Sequence, residues 1–126
     1  IDDSSTFKVD ESIRDLFMRE DVPNIIICLN ETNTTCVYQA VVDYNKVGDI
    51  NILGYHTSDM ILKGVERNVI DATVTVDTVQ MGKYCVDALV EYETLGNTSD
   101  YFAVGIALID KDNVTEYMGG DEDAER

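Results

Sequence analysis

The sequence predicts an α/β domain with three layers, α/β/α, built around a mostly parallel sheet. One observation is the β-branched run NIIICL at 24–29, which has the continuous apolar character of a strand buried on both faces of a parallel sheet. Another is that such runs alternate with amphipathic segments along the chain, with only a few residues between them. This alternation is typical of parallel strands whose crossover helices cover both faces of the sheet.

The first half of the chain predicts two helices and two strands. The apolar residues of the opening helix recur at helical spacing and are Phe7, Ile13, Leu16 and Phe17. We expect Val22-Pro23 to end this helix, because proline disfavours helix in the residue before it. The strand at 24–29 and a polar loop follow. The apolar residues of the second helix are Val37, Ala40, Val41 and Tyr44. Gly48 is its predicted stop, and 49–54 is the second buried strand.

The next unit is a short helix at 58–68 and a third strand at 70–76. Either Ser58 or Thr57 has the side chain expected of the N-cap of that helix. With the two strands before it, this strand completes the predicted set of parallel neighbours.

A long helix at 78–95 and a final strand at 101–109 complete the pattern. One stripe of the helix consists of Met81, Cys85, Ala88, Leu89 and Tyr92. We expect Gly96-Asn97 to close the helix. A last turn or short helix follows the strand, with Asp110 or Asp112 as its predicted cap.

Length and composition fit one domain with an ordinary core, since the chain has 126 residues and 44% of them are hydrophobic. We expect residues 1–118 to form a single α/β lobe and residues 119–126 to form a disordered acidic tail. The sequence begins with Ile1 instead of Met, which is typical of a processed chain or of a piece excised from a longer one.

The charge balance argues against two classes of partner. Twenty-five acidic residues against nine basic ones give a net charge of −16, so the surface repels nucleic acid and anionic membranes. No apolar run approaches the roughly 20 residues that cross a bilayer.

The three cysteines predict no metal site and no cofactor. Cys28, Cys36 and Cys85 cannot all pair, and they form neither a CxxC spacing nor a cluster with histidine. We therefore expect them to be small buried hydrophobic residues.

Candidate functional residues follow the predicted strands. Ligands of parallel α/β sheets bind in the crevice beyond the carboxyl ends of the strands. The residues at these ends are Asn30, Glu31, His56, Thr57, Val76 and Asp77. The plainer alternative is that the ring of His56 caps the following helix or makes a local hydrogen bond, and that Glu31 and Asp77 are solvated loop carboxylates.

Catalysis is the weaker interpretation. His56 with Asp59, or Glu31 with Asp77, are the pairs that acid–base chemistry would use, but nothing in their spacing requires it. The sequence has no nucleophile elbow, no phosphate-binding glycine loop and no dinucleotide fingerprint. We therefore expect a binding protein and not an enzyme.

The stretches NIIICLNE, GDINILGYH and NVIDATVTVDTVQMG together resemble a known family. They are similar to the C-terminal half of the type I periplasmic binding proteins, which are the solute receptors of sugar ABC transporters. The likeness covers about residues 8–115 and is most specific at the hinge strand with QMG. It implies a single lobe of a two-lobed fold.

The resemblance also implies ligand contacts at five positions, some of them altered. Asn30 matches an Asn whose amide bonds sugar hydroxyls, and Glu31 replaces the Asp that follows it. His56 takes the place of a ligand-binding Asp, while Val76, just before Asp77, stands where the family has a hinge Gln. Because a neutral imidazole offers one donor and one acceptor, His56 suits a ligand other than the usual pyranose, such as one with an anionic or aromatic group.

By this resemblance we expect a bacterial, extracytoplasmic solute-binding lobe that captures a sugar or a sugar-like molecule. Its expected partners are the missing N-terminal lobe and the permease of an ABC transporter. The alternative is the ligand-sensing domain of a signalling receptor or of a transcriptional repressor. Without its partner lobe, the helix at 79–95 exposes an apolar stripe, which predicts a homodimer formed through this helix.

Overall fold

The computed structural model of the protein describes residues 6–119. In this part of the chain, helices and strands alternate from beginning to end. The helices are α1 (Thr6–Phe17), α2 (Glu31–Asp43), α3 (Asp59–Glu66), α4 (Thr78–Leu95) and α5 (Val114–Tyr117). The strands are β1 (Ile25–Ile27), β2 (Asn51–Tyr55), β3 (Ala72–Val76) and β4 (Ile106–Asp110).

The four strands form one sheet in the order β1-β2-β3-β4. β1 pairs with β2 in parallel, with Ile26 opposite Ile52, and β2 pairs with β3 in parallel, with Gly54 opposite Thr73. The predicted fold class, an α/β fold with a mostly parallel sheet flanked by helices, is confirmed. Since β1, β2 and β3 neighbour each other in chain order, right-handed crossovers place α2 and α3 on the same face of the sheet.

The described residues divide into two compact units. The first unit contains residues 6–74 and 108–119, and the second contains residues 75–107. No helix in the described part of the chain is long and apolar enough to cross a membrane.

The core of the first unit lies between the helices and the sheet. α2 contacts α1, β2 and α3, and α3 also contacts α5. The side chains that are fully buried or nearly so include Val9, Ile13, Val37, Val41, Ile52, Ile61, Val65, Ile70, Ile109 and Val114. Their spacing of four residues within α1, α2 and α3 puts one apolar stripe of each helix toward this core.

The prediction that the first strand is buried on both faces is wrong. Ile25, Ile27 and Leu29 are 58%, 63% and 81% exposed, whereas Cys28 is buried and Ile26 is half-buried. β1 is the edge of the sheet, and α2 and α3 lie on one face only. Successive strand residues point to opposite faces, so every second residue of β1 faces solvent.

Helix ends follow the sequence signals in part. α4 spans the predicted residues and closes on Gly96, whose φ of 74° is the left-handed conformation of a helix C-cap. α2 stops before Gly48, because Asn45 already takes a left-handed turn with φ 53°. The N-cap of α5 is Asn113 and not Asp110 or Asp112.

Two expectations about single side chains are also corrected. Phe7 is 75% exposed, because the stripe of α1 that faces α2 runs through Val9, Ile13 and Phe17. Cys28 and Cys36 are buried as predicted, whereas Cys85 is exposed on α4. The predicted acidic tail at 119–126 lies outside the described residues, apart from Gly119.

Candidate ligand-binding site

Asn30 and Glu31 form the start of α2, just beyond the carboxyl end of β1. Asn30 is the N-cap of the helix, and its side-chain Oδ1 accepts a hydrogen bond of 2.8 Å from the backbone N–H of Asn33. Glu31 is the first helical residue, where a carboxylate interacts favourably with the helix dipole. Because the cap uses only the amide oxygen, the two N–H donors of Asn30 remain for a ligand.

His56 follows β2 directly, and β3 holds its backbone at two points. Its N–H donates to the carbonyl of Val74 over 2.9 Å, and its carbonyl accepts from Thr73 Oγ1 over 2.8 Å. The φ of His56 is 91°, which residues other than glycine rarely adopt. Strained backbone of this kind is concentrated at functional sites. These two hydrogen bonds fix the backbone of His56 at the end of β2, and with it the point at which the imidazole side chain is attached.

Glu31 and His56 meet across the ends of β1 and β2. Glu31 Oε2 lies 3.7 Å from His56 Nδ1, and the two side chains are 48% and 46% exposed. A contact this exposed contributes little to folding, and both side chains are accessible to a ligand. We call Asn30, Glu31 and His56 the strand-end cluster. Among the described carboxylates, Glu31 is the one within 4 Å of the ring, so the His56–Asp59 pair that the weaker, catalytic interpretation would use is not formed.

A buried threonine ties the strand-end cluster to the sheet. Thr34 is fully buried in α2, and its Oγ1 donates to the Asn30 carbonyl over 2.7 Å. The same oxygen accepts from the backbone N–H of Tyr55 over 3.0 Å. Thr34 therefore joins the N-cap of α2 to the last residue of β2, immediately before His56. Sequence reasoning missed it, and its one local signal is the position four residues after the N-cap.

Gly54 lets α2 approach β2 this closely. A Cβ atom at this position would lie 2.6 Å from Thr34 Cγ2 and 3.3 Å from Thr73 Oγ1. Because the first distance is far inside van der Waals contact, a larger residue here would displace Thr34 or Thr73. These are the two threonines that orient the strand-end cluster.

The two remaining predicted site residues belong to the second unit. Val76 ends β3 and is half-buried, and it has no polar side-chain atom for a ligand. Asp77 is the N-cap of α4, and its Oδ1 accepts from the backbone N–H of Gln80 over 2.8 Å. The Asp77 N–H donates to the Gly105 carbonyl, and the Gly105 N–H donates to Gln80 Oε1. The structure thus gives Asp77 a capping role within its own unit.

No family model and no curated protein matches the chain by sequence. Solved structures do match. An ABC transporter solute-binding protein from Agrobacterium vitis, bound with α-D-tagatopyranose, has a TM-score of 0.82 at 16% identity. GanP, a glucose-galactose binding protein from Geobacillus stearothermophilus, has a TM-score of 0.78 at 16% identity. The XylFII–LytSN complex has a TM-score of 0.71 at 18% identity.

The matches cover nearly all of this chain but much less of the solved proteins. The covered shares of this chain are 92%, 87% and 86%, and those of the solved chains are 39%, 39% and 38%. At such low identity the likeness concerns the fold. The chain therefore has the fold of a single lobe of the type I periplasmic binding proteins.

Proposed function

We propose that the chain is the C-terminal lobe of an extracytoplasmic solute-binding protein that captures a sugar or a sugar-like molecule for an ABC transporter. The observation that carries this proposal is the strand-end cluster. It gathers an amide, a carboxylate and an imidazole beyond two parallel strands, where ligands of such sheets bind. The solved proteins of the same fold support it, since GanP is described as a glucose-galactose binding protein.

The cluster suits a neutral ligand with several hydroxyl groups. Each hydroxyl both donates and accepts hydrogen bonds, and the cluster offers N–H donors on Asn30, acceptor oxygens on Glu31 and a ring nitrogen on His56. An anionic ligand would approach the Glu31 carboxylate and a chain of net charge −16. We therefore favour a neutral sugar over the acidic ligand that a histidine alone suggests.

We further propose that a second lobe covers this site. The side chains of Glu31 and His56 are about half exposed, so one lobe buries only part of a small ligand, and closed sites bury most of it. The chain also spans only about two fifths of the solved solute-binding proteins that it matches. Alone, it should bind sugar weakly, with a dissociation constant on the order of millimolar.

Calorimetric titration of the chain tests this proposal. We expect heat of binding from at least one neutral monosaccharide among galactose, glucose, tagatose and xylose, and a weaker response from galacturonate. Asn30→Ala and His56→Ala should each weaken binding about tenfold, since an unpaired ligand hydroxyl costs roughly 1–3 kcal/mol. Glu66→Gln, which changes an exposed carboxylate of α3, is the control and should leave affinity unchanged. Equal affinity in all four proteins would contradict the proposed site.

A sensing role is the second candidate. XylFII, a protein of the same fold, is found in a complex with LytSN. The exposed apolar residues of β1 would suit a protein partner of this kind. In a sensing protein, a ligand at the strand-end cluster would change the affinity for a signalling partner. In a transport receptor, the partner would instead be the permease of the transporter.

A further inference from the structure

His56 differs from the other residues of positive φ in the described part of the chain. Asn45 and Asn68 have φ values of 53° and 57°, close to the ideal left-handed value, and each lies two residues beyond the end of a helix. Asparagine tolerates this conformation, which is common just after helices. His56 has a φ of 91°, outside the left-handed region that side chains ordinarily enter. Neither its residue type nor a preceding helix accounts for its conformation.

The strand β3 holds the backbone of His56 in this conformation. The N–H of His56 donates to the carbonyl of Val74, and the carbonyl of His56 accepts from Thr73 Oγ1 over 2.8 Å. The first bond joins two backbones, so any residue at position 74 provides it. The second needs a hydroxyl group at position 73, and that residue is fully buried. Thr73 is therefore the side chain on which the conformation of His56 depends.

A glycine would adopt the backbone conformation of position 56 more easily than histidine does. Glycine has no Cβ atom and populates positive φ about as readily as negative φ. The chain uses glycine in this way at Gly48 and Gly96, whose φ values are 86° and 74°. At such a position a larger residue strains the folded state by more than it restricts the unfolded chain. The histidine thus lowers the stability of the fold, and its side chain has to serve another purpose.

That purpose is indicated by the place of the imidazole ring. His56 Nδ1 lies 3.7 Å from Glu31 Oε2, at the carboxyl ends of β1 and β2, and both side chains are about half exposed. Ligands of parallel α/β sheets bind at such strand ends. The backbone conformation fixes the direction of the Cα–Cβ bond, so relaxation of φ would turn the ring away from Glu31. Strained residues persist where the surrounding structure imposes them, and they are concentrated at ligand sites.

We propose that Thr73 is a positioning residue of the strand-end cluster, and that it holds His56 in a strained conformation which lowers folding stability and favours ligand binding. Since Thr73 is fully buried, it acts on the ligand through His56 and does not touch it. The proposal rests on the proposed function, because the ligand is the neutral sugar assigned to this cluster. It adds that the sequence of position 56 is set by binding and not by folding.

Glycine and alanine at position 56 test the strain. Both variants lack the imidazole, so their difference in stability depends on the backbone alone. We expect His56→Gly to unfold at a higher urea concentration than His56→Ala, which reverses the usual order of these two residues. Thr57→Gly and Thr57→Ala are the matched control, since Thr57 has no positive φ, and there the alanine variant should be the more stable. An alanine variant at position 56 at least as stable as the glycine variant would overturn the proposal.

The NMR signal of the imidazole tests the role of Thr73, because the chain has one histidine and therefore one such signal. Thr73→Val removes the hydroxyl and keeps the shape, so it should shift this signal and weaken sugar binding several-fold. Thr73→Ser keeps the hydroxyl and should retain the signal and the affinity, although the lost methyl group lowers stability. Thr75→Val, in the same strand, is the control and should change neither. An imidazole signal that Thr73→Val leaves in place would contradict the positioning role.

Calorimetry of the double variant His56→Ala/Thr73→Val separates positioning from a general effect on the fold. If Thr73 acts through the ring, Thr73→Val should not weaken sugar binding further once the imidazole is gone. An equal loss of affinity in both backgrounds would overturn the proposal. If the parent chain binds no monosaccharide, the proposed function fails, whereas the imidazole signal and the urea midpoints at position 56 still decide whether Thr73 imposes the strained conformation.

Discussion

The hydroxyl of Thr34 shows how a single residue organises the candidate site. It donates to the carbonyl of Asn30 and accepts from the N–H of Tyr55, so one buried side chain links the N-cap of α2 to the end of β2. The hydroxyl of Thr73 donates to the carbonyl of His56. These partners lie 21 and 17 residues away in the chain, which is why the sequence could not predict them. Asn30, Glu31 and His56 were predictable because each simply follows a strand.

Thr34→Val should destabilise the protein by about 1–3 kcal/mol, because it keeps the shape of the side chain but leaves the part-buried N–H of Tyr55 without its acceptor. The free energy of unfolding in urea measures this. Thr35→Val makes the same change one residue along, where the hydroxyl donates to the Thr32 carbonyl of its own helix. That control should stay within about 0.5 kcal/mol of the parent chain. Equal losses of unfolding free energy in both variants would show that the hydrogen bonds of Thr34 do not stabilise the protein more than the local bond of Thr35 does.

Burial of Cys28 predicts a loss of stability in alkaline solution. Burial raises the pKa of the Cys28 thiol from 9.0 to about 11. As the pH rises from 9 to 11, the unfolded chain therefore loses this proton before the folded chain does, and the folded state weakens. For Cys28 alone the loss is on the order of 2–3 kcal/mol. Between pH 8.5 and 10.5, the urea midpoint of Cys28→Ala should fall less than that of the parent chain. Parallel declines would contradict the buried thiol.

Helices and strands differ in how well their own residues predict their ends and their burial. α4 was predicted with its observed ends, because its N-cap and the left-handed Gly96 are local signals. The burial of β1 was predicted wrongly, because an apolar run does not reveal whether helices cover one face of a strand or two. That depends on strand order, which is set by the whole sheet. Exposed Ile25 and Ile27 are the result.

The contact between α2 and β2 depends on Gly54. Gly54→Ala should destabilise the protein by about 1–3 kcal/mol, because the added methyl group overlaps Thr34 Cγ2. In Gly54→Ala/Thr34→Ser that methyl group of Thr34 is gone and the bridging hydroxyl remains, so part of the loss should be recovered. Urea unfolding of the two single variants and the double variant measures the coupling. Strictly additive losses would mean that the two side chains do not collide.

The whole molecule combines a strongly acidic composition with the fold of one lobe of the type I periplasmic binding proteins. The alternation of strands and helices was enough to predict the parallel sheet. The division into two compact units was not predicted. It depends on contacts between residues far apart in sequence, and no local pattern marks where the second unit begins, at residue 75.

The central claim is that the strand-end cluster contacts the ligand, and backbone amide NMR during a sugar titration tests it most directly. We predict saturable shifts that centre on Asn30, Glu31 and His56, at millimolar concentrations of a neutral monosaccharide, and whose midpoint moves to about tenfold more sugar in Asn30→Ala. Shifts that map elsewhere in the first unit, or that persist unchanged in Asn30→Ala, would contradict the account.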